Sequence, residues 1–300
     1  MVIGALLGLG AATCHSVSYL FSRLFVIRRR KGILRLLVLG HVLMGAASAI
    51  ALPALWSADV PPLSRYILPL LGAAGFYLLG QAGLFLALRH ADASRVSPLL
   101  GLKVIVLAAI TVLFLRDRLS LLQWVAVALS GGAAVLLGSS GTRLNRQAVV
   151  GLIFACLSYC LSDLSIKALV EALSGLGPWR AVLLAVSMSY VLCGILGLLL
   201  MPWAGRAALK DLPYALPFAV SWLLAMVFLY ACFAAIGVVF GNIMQSTRGL
   251  ISILFGAALA HAGMVHLEEK TSRAVLARRL AAAGLMCLAI AMFFLARKAS

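Results

Sequence analysis

The most unusual residue of this sequence is an arginine inside an apolar stretch, Arg248 in "GNIMQSTRGLISIL" (241–254). A guanidinium group is always charged, and its planar fork binds a carboxylate or a phosphate through two hydrogen bonds. Four residues here are spaced by four, three and four positions, so on a helix they lie on one face and form a polar stripe: Gly241, Gln245, Arg248 and Ser252. Arg248 and Gln245 are therefore candidate ligands for an anion. The alternative is a structural arginine bound to Asp163 or to the carbonyls of a broken helix.

Three other ionisable side chains interrupt apolar segments. Lys103, in "GLKVIVLAA", has no acid on its own helix and is a candidate for anion binding or proton coupling, or else is held by carbonyls of a neighbouring helix. Asp163 and Lys167 are four residues apart with the acid first, which is the favoured order for a helical ion pair. We expect these two to form a structural pair. Because Asp163 is the one carboxylate deep within an apolar segment, it is also the candidate for proton coupling.

Two sets of polar and aromatic side chains are candidate walls of a binding site. The first is a helical stripe with Arg23 beside it, formed by His15, Ser18, Tyr19 and Ser22. The second would supply aromatic and amide surfaces from two segments, through Tyr77, Gln81, Trp222 and Tyr230. The alternatives are that the hydroxyls bind the preceding helical turn and that the aromatic rings only pack.

Enzyme chemistry is not expected from these residues. The sequence contains no H-E-x-x-H and no G-x-S-x-G motif, and it offers no second deep carboxylate to pair with Asp163. The six cysteines lie inside apolar segments without the spacing of a metal site, and Cys156 and Cys160 fit helix packing better than chemistry. We therefore predict no catalytic residue, no metal and no cofactor.

The elements that must position these residues are membrane-spanning helices. Of the 300 residues, 64% are hydrophobic and 11% are charged, with a mean hydropathy of +1.11, which predicts an integral membrane protein. Backbone groups in lipid must be bonded within a helix or a closed barrel, and alternating strands are absent from the sequence. The predicted fold is all-α, with ten spans near Val2–Ile27, Ile33–Leu55, Tyr66–Leu88, Ala93–Leu115, Leu121–Gly138, Ala148–Val170, Ala181–Trp203, Leu212–Ala235, Val238–Ala262 and Val275–Ala296.

The net charge of +17 lies mainly in short loops beside the spans, as in "RRRK" at 28–31, and this argues against nucleic-acid binding. Odd-numbered loops contain fourteen lysines and arginines, whereas the even-numbered loops and the C-terminal tail contain six. The positive-inside rule then places the odd loops in the cytoplasm and both termini on the opposite side.

A weak internal repeat divides the chain into halves at 1–146 and 147–300. A shift of 144 residues lays "ATCHSVSYLFSRLFV" over "CLSYCLSDLSIKALV", and a shift of 145 lays Tyr77 on Trp222 and Lys103 on Arg248. Each half contains five spans, an odd number, so the second half enters the membrane from the opposite side. The sequence therefore predicts two inverted five-helix repeats, as in secondary transporters, whose substrate site lies near the midplane. The alternative to a repeat is that two apolar sequences align by chance.

The third predicted span ends in the turn "ALRHADASR", the fourth ends in "RDRLS", and "LLQW" opens the fifth. Through these motifs residues 84–138 resemble the EamA-like family of the drug/metabolite transporter superfamily. The stretches "HSVSYLFSR" and "YCLSDLSIK" echo the family's pattern in the first and sixth spans, although His15 replaces a tryptophan and "RDR" replaces "GER". The resemblance implies a ten-helix, two-repeat fold and a central cavity lined by spans one, three, four, six, eight and nine. It also implies cytoplasmic termini, in conflict with the charge count, which we favour.

The function expected from these observations is secondary transport. Three cations within spans, Lys103, Lys167 and Arg248, oppose Asp163 alone, so a cargo with a carboxylate or phosphate would supply the missing charge. We expect an exporter of a small anionic metabolite that works by alternating access in the bacterial inner membrane, surrounded by lipid, with possible proton or counter-substrate coupling, as a monomer or homodimer. The alternative is a flippase for a polyprenyl-phosphate-linked or other lipid head group, attracted by the basic cluster at 28–31.

Overall fold

The chain is helical throughout the part that this computed structural model describes. The described residues are 1–29, 32–88, 90, 96, 99–114, 116, 118–138, 144–205, 208–252, 255 and 273–299. Within these ranges there is no β-strand. The α-helices whose two ends lie in these ranges are, in chain order, α1 (Val2–Arg29), α2 (Ile33–Leu55), α3 (Ile67–Leu88), α4 (Lys103–Leu113), α5 (Leu121–Gly138), α6 (Arg146–Ala172), α7 (Pro178–Ala204), α8 (Leu212–Ile236), α9 (Val238–Ser246) and α10 (Arg273–Ala299).

Most of the helices have the bounds that the apolar pattern predicts. Helices α2 and α5 cover the same residues as their predicted spans, and α1, α3, α6, α7, α8 and α10 differ from theirs by at most three residues at either end. Six helices, α1, α2, α3, α6, α7 and α8, are long and apolar enough to cross a membrane by length and composition. The chain is therefore an integral membrane protein with an all-helical fold.

The fourth and ninth spans differ from the prediction because each contains a break. Helix α4 begins only at Lys103, after a 3-10 turn at Leu100–Leu102, and α9 ends at Ser246. After a turn at Thr247 the backbone is helical again at 248–252. Residues 93–95, 97–98, 253–254 and 256–262, which belong to these two predicted spans, lie outside the described part of the chain.

The largest helix contacts join the first five helices to the last five. Helix α1 packs along α8, α3 along α6, α2 along α7 and α5 along α10. Each helix has a counterpart five helices along the chain, so α1 corresponds to α6 and α3 to α8. Replacing every helix by its counterpart converts the α1–α8 contact into the α6–α3 contact. The same operation leaves the α2–α7 and α5–α10 contacts unchanged.

Small residues allow these helices to approach closely, as is common where lipid supplies no hydrophobic driving force between helices. A Cβ on Gly45 of α2 would lie 2.6 Å from the Cα of Gly194 on α7. A Cβ on Gly83 of α3 would lie 2.8 Å from the backbone nitrogen of Ala155 on α6. The Gly4–Gly8 spacing of α1 serves the same purpose, because Gly8 packs against Met244 of α9.

The connection between α8 and α9 is a single residue. Gly237 has a φ of +82°, a left-handed conformation that residues with a Cβ adopt at a cost, so the chain turns directly from one helix into the next. This tight turn places the start of α9 beside α8, and α9 also contacts α1, α4 and α6. The polar residues of α9 are therefore brought among the helices that carry the other candidate residues.

Candidate functional site

A buried ion pair joins α4 to α6. The Lys103 Nζ lies 2.8 Å from the Asp163 Oδ2, and the two side chains are 14% and 6% exposed. The same carboxylate oxygen accepts a hydrogen bond of 2.9 Å from the Asn242 Nδ2 on α9. Asp163 therefore connects α4, α6 and α9, and it neutralises Lys103 within the protein.

The expected pairing of Asp163 with Lys167 is wrong. The Lys167 Nζ lies instead 3.5 Å from the Glu171 Oε1, one turn nearer the end of α6, where the side chains are 34% and 62% exposed. Spacing along one helix allows Lys167 to approach either acid. Burial decides between them, because a charged group gains more from water near the helix end, whereas buried Asp163 receives an ammonium from another helix.

Arg248 lies at the point where helical backbone resumes after the turn at Thr247, and it is half-buried. Its Cζ is 5.8 Å from the centre of the Tyr19 ring, and its backbone carbonyl accepts a 2.9 Å hydrogen bond from the Ser16 hydroxyl. Among the described residues no carboxylate lies within 4.0 Å of the guanidinium. The structure therefore contradicts the alternative that Arg248 is bound to Asp163.

Buried polar atoms without hydrogen-bond partners lie on the helices around Arg248. Both amide atoms of Gln245, the Nδ1 of His15 and the Oδ1 of Asn242 have none in the described structure. The three side chains are at most 4% exposed. Because a buried polar atom without a partner costs about 1–3 kcal/mol, these atoms mark a place where a ligand or water would add hydrogen bonds.

Lys103 and Arg248 face a common region. The Lys103 Nζ lies 5.8 Å from the centre of the Tyr159 ring, and Arg248 is within electrostatic range of the same tyrosine. Both cations are also within electrostatic range of His15. Lys103 and Arg248 are therefore both within electrostatic range of His15 and Tyr159, although Lys103 has a counter-charge and Arg248 has none among the described residues.

The aromatic candidates form two hydrogen-bonded pairs. The Trp222 Nε1 donates to the Tyr190 hydroxyl at 2.9 Å, and the Trp222 ring meets His15 edge-on with centroids 4.8 Å apart. In the second pair, the His41 Nε2 lies 3.1 Å from the Tyr77 hydroxyl, and the Tyr77 ring centre is 6.3 Å from that of Tyr190. The His41 Nδ1 lies 2.7 Å from the Leu37 carbonyl, which can only accept, so Nδ1 carries the proton and a neutral His41 accepts from Tyr77 at Nε2.

The remaining candidates divide between the site and the packing. The Ser18 and Ser22 hydroxyls donate to carbonyls of their own helix at 2.7 and 2.9 Å, so their donors are already satisfied. Tyr19 contacts both Arg248 and the edge of Trp222, whereas Tyr230 is 2% exposed and within electrostatic range of Asp163. Gln81 is buried on α3, one turn from Tyr77. The side chains of Arg23 and of the basic cluster at 28–31 lie outside the described residues.

Four residues of the site were missed by the sequence analysis. Tyr159 lies between Lys103 and Tyr77, and its ring centre is 6.4 Å from that of Tyr77. Asn242 was overlooked because the stripe was drawn through Gly241, one position away. His41 and Tyr190 bind Tyr77 and Trp222, and a search for polar side chains near the middle of the second and seventh spans would have found both.

Comparisons with known proteins agree with these observations. Residues 2–139 match the model of the EamA-like transporter family. A protein of a Sinorhizobium species, named as an uncharacterized transporter in a cobO 3' region, is 43% identical over 53 residues, which are 18% of this chain and 38% of that relative. The chain thus matches well under half of that relative's length.

A solved crystal structure shares the fold along nearly the whole chain. It aligns with a TM-score of 0.64 at 15% sequence identity, covering 99% of this chain and 98% of the other. Identity at that level establishes the fold only. The family model and the named relative are both described as transporters. The chain is an integral membrane protein whose residues 2–139 match the EamA-like transporter family.

Proposed function

We propose that this chain is a secondary transporter that exports a small metabolite carrying an anionic group, by alternating access around a midplane site. The main support for this proposal is the environment of Arg248. This arginine is half-buried on the resumed helix after α9, it has no carboxylate within 4.0 Å among the described residues, and unpartnered atoms of Gln245 and His15 lie on the packed helices beside it. A carboxylate or phosphate on the cargo would supply the counter-charge through two hydrogen bonds.

The pairing of Lys103 with Asp163 sharpens this proposal. An ion pair within the protein contributes no net charge to the site, so Arg248 alone makes the site positive. The unpartnered Gln245 amide offers both a donor and an acceptor, so a cargo with a polar group beside its anionic group would fit better than a simple inorganic anion. The Trp222, Tyr19 and Tyr159 rings supply apolar surface around this polar centre.

The proposed architecture is two inverted five-helix repeats, residues 1–146 and 147–300, related by a twofold axis in the membrane plane. In its favour, the set of the four largest helix contacts stays the same when every helix is replaced by its counterpart in the other half. The breaks next to Lys103 and Arg248 also fall at corresponding places in the two halves. We place the protein in the bacterial inner membrane, because the named relative comes from a bacterium.

Transport by purified protein in proteoliposomes tests the function. Vesicles would be preloaded with a panel of radiolabelled amino acids, organic acids, phosphorylated metabolites and organic cations, and efflux would be followed with and without a proton gradient. We expect efflux of compounds with an anionic group, and selective movement of cations would contradict the proposal.

Variants of Arg248 test the residue that carries the proposal. Arg248→Gln should abolish the efflux of the anionic compound, and Arg248→Lys should retain part of it because the charge remains but the planar fork is lost. Arg118→Gln is the matched control, since Arg118 is an exposed arginine between α4 and α5. Equal losses in Arg248→Gln and Arg118→Gln would show that Arg248 does not bind cargo.

A further inference from the structure

One face of α6 carries charged side chains from the centre of the protein to the end of the helix. Asp163, Lys167 and Glu171 follow one another at intervals of four residues, so they lie on the same side of the helix. Their side chains are 6%, 34% and 62% exposed, so exposure increases steadily toward the helix end. Lys167 and Glu171 contact each other at 3.5 Å, and Asp163 is the inner member of the series. We call these three residues the charged face of α6.

The outer end of the charged face opens into a surface pocket of about 600 Å³. The pocket lies between the end of α6 and the connection from α2 to α3, and it is lined by Glu171, Ser174 and Gly175 on one side and Asp59, Pro61 and Arg65 on the other. Charged groups on both sides indicate that the pocket is filled with water. The charged face of α6 therefore begins in an aqueous pocket at one side of the membrane.

Lys167 lies deeper in the span than the residues that line this pocket. Lys167 lies five residues before the end of α6 at Ala172, about 7.5 Å into the span at 1.5 Å per residue. A lysine facing hydrocarbon costs at least about 2.5–3.5 kcal/mol on insertion scales, so its partly exposed side chain faces water or reaches back to the surface. The next charged position inward, one turn deeper, is Asp163.

We propose that Asp163 is the proton-binding site of this transporter and that protons reach it from the pocket along the charged face of α6. A hydronium ion transfers its proton to a carboxylate oxygen of Asp163 and leaves as water, and the carboxylate becomes a neutral carboxyl. Lys103 keeps its own proton and loses its counter-charge. The released ammonium then lies on the same site as Arg248, where it can bind the anionic group of the cargo.

This exchange of partners couples the two ligands, and this part of the inference rests on the proposed function. Cargo and the Asp163 carboxylate compete for the Lys103 ammonium, so binding of a proton and binding of an anion favour each other. The anion and the proton would then leave together, driven by the concentration gradient of the anion and not by an inward proton gradient. The groups facing Asp163 are Lys103 from α4, Asn242 from α9, Tyr230 from α8 and Cys160 from its own helix. Of these, only Lys103 carries a charge that protonation of Asp163 would release.

Thiol labelling tests the path without any cargo. Lys167→Cys and Leu183→Cys would be treated with a membrane-impermeant thiol reagent from each side of sealed vesicles, with the wild-type chain as the blank for native cysteines. Leu183 is the matched control because it lies five residues after the start of α7 at the same side and is 36% exposed, but it belongs to an apolar surface. We expect that Lys167→Cys is labelled from the pocket side and that Leu183→Cys is not labelled from either side.

This result would also separate a water-filled path from a lysine that merely reaches back to the surface, because a cysteine is too short to do so. An unlabelled Lys167→Cys, or equal labelling at both positions, would overturn the path.

Infrared difference spectroscopy between an acidic and an alkaline buffer tests the proton site itself. Protonation of a buried carboxylate creates a carbonyl band, and this band should be lost in Asp163→Asn and present but shifted in Asp163→Glu. An unchanged band in Asp163→Asn would overturn the proposal. If Asp163→Asn does not fold, the Asp163→Glu variant carries the test, and a band identical to that of the wild type would overturn it. Neither experiment uses cargo, so a negative result in either one would not contradict the proposal of anion transport. Conversely, unchanged efflux in Arg248→Gln would contradict anion binding at Arg248 but not the proton site at Asp163.

Discussion

Removing Lys103 should destabilise the protein far more than removing Lys167, which lies about one helical turn from Asp163 on α6. In Lys103→Met the aliphatic stem is largely preserved, but the Asp163 carboxylate keeps only the Asn242 amide as a partner. Removing one partner of a buried ion pair costs about 3–5 kcal/mol, because it leaves an uncompensated charge in a medium of low polarity. Asp163 is 6% exposed, so little water reaches the carboxylate to reduce this cost.

The matched control is Lys167→Met. Lys167 pairs with Glu171 at 3.5 Å, but the two side chains are 34% and 62% exposed, so solvent screens the pair and its contribution is about 0–1 kcal/mol. The two variants remove the same side chain and add the same one. Any difference between them therefore reports the difference in burial and in partner.

The assay is thermal unfolding of the purified protein in detergent, followed by intrinsic fluorescence. With about 2 °C per kcal/mol for a large domain, Lys103→Met should lower Tm by about 6–10 °C, and Lys167→Met by about 2 °C at most. The double variant Lys103→Met/Asp163→Asn should recover part of the loss, because it removes the uncompensated charge. Equal effects of the two single variants, or a double variant whose loss is the sum of its parts, would refute the reasoning.

Three further predictions concern other parts of the molecule. Gln245→Met should raise stability by about 1–3 kcal/mol in the same assay, because it removes two unpartnered buried atoms, whereas Asn242→Leu should lower it by breaking the contact with Asp163. Gly45→Ala should cost about 1–3 kcal/mol because its Cβ would lie 2.6 Å from the Cα of Gly194. Gly75→Ala, which meets no atom within 4 Å, should be neutral or stabilising in the same assay. A reporter enzyme that is active only outside the cytoplasm, fused after the last residue, should be active if the charge count gives the orientation correctly, and an inactive reporter would favour cytoplasmic termini.

The helices could be predicted from the sequence because lipid leaves the backbone few choices. An apolar run of the right length must close its own hydrogen bonds, so the bounds of α2 and α5 follow from where polar residues begin and end. The fourth and ninth spans could not be predicted in the same way. Their breaks, after Leu102 and at Thr247, lie in runs that are apolar enough on average to be interpreted as continuous spans, so hydropathy averaged over a span does not locate them.

The chemistry of the site was also indicated by the sequence. A charge in an apolar segment is costly wherever the helix packs, and this cost alone identifies Arg248, Lys103 and Asp163 as candidates. The match of Lys103 with Arg248 under the shift of 145 residues also predicted that the two would face one region, because the substrate site of inverted-repeat transporters lies between the repeats.

Only the tertiary structure decided which charges neutralise each other. Along α6 the spacing favours Lys167 as the partner of Asp163, and nothing in the sequence gives the distance from Asp163 to Lys103, which lies 60 residues away on another helix. Helix packing places that ammonium 2.8 Å from the carboxylate, and so leaves Arg248 as the cation without a carboxylate among the described residues. The sequence determines which side chains are too polar for lipid, because that depends on composition. Their pairing depends on distances of a few ångströms between helices, which only the packed molecule sets.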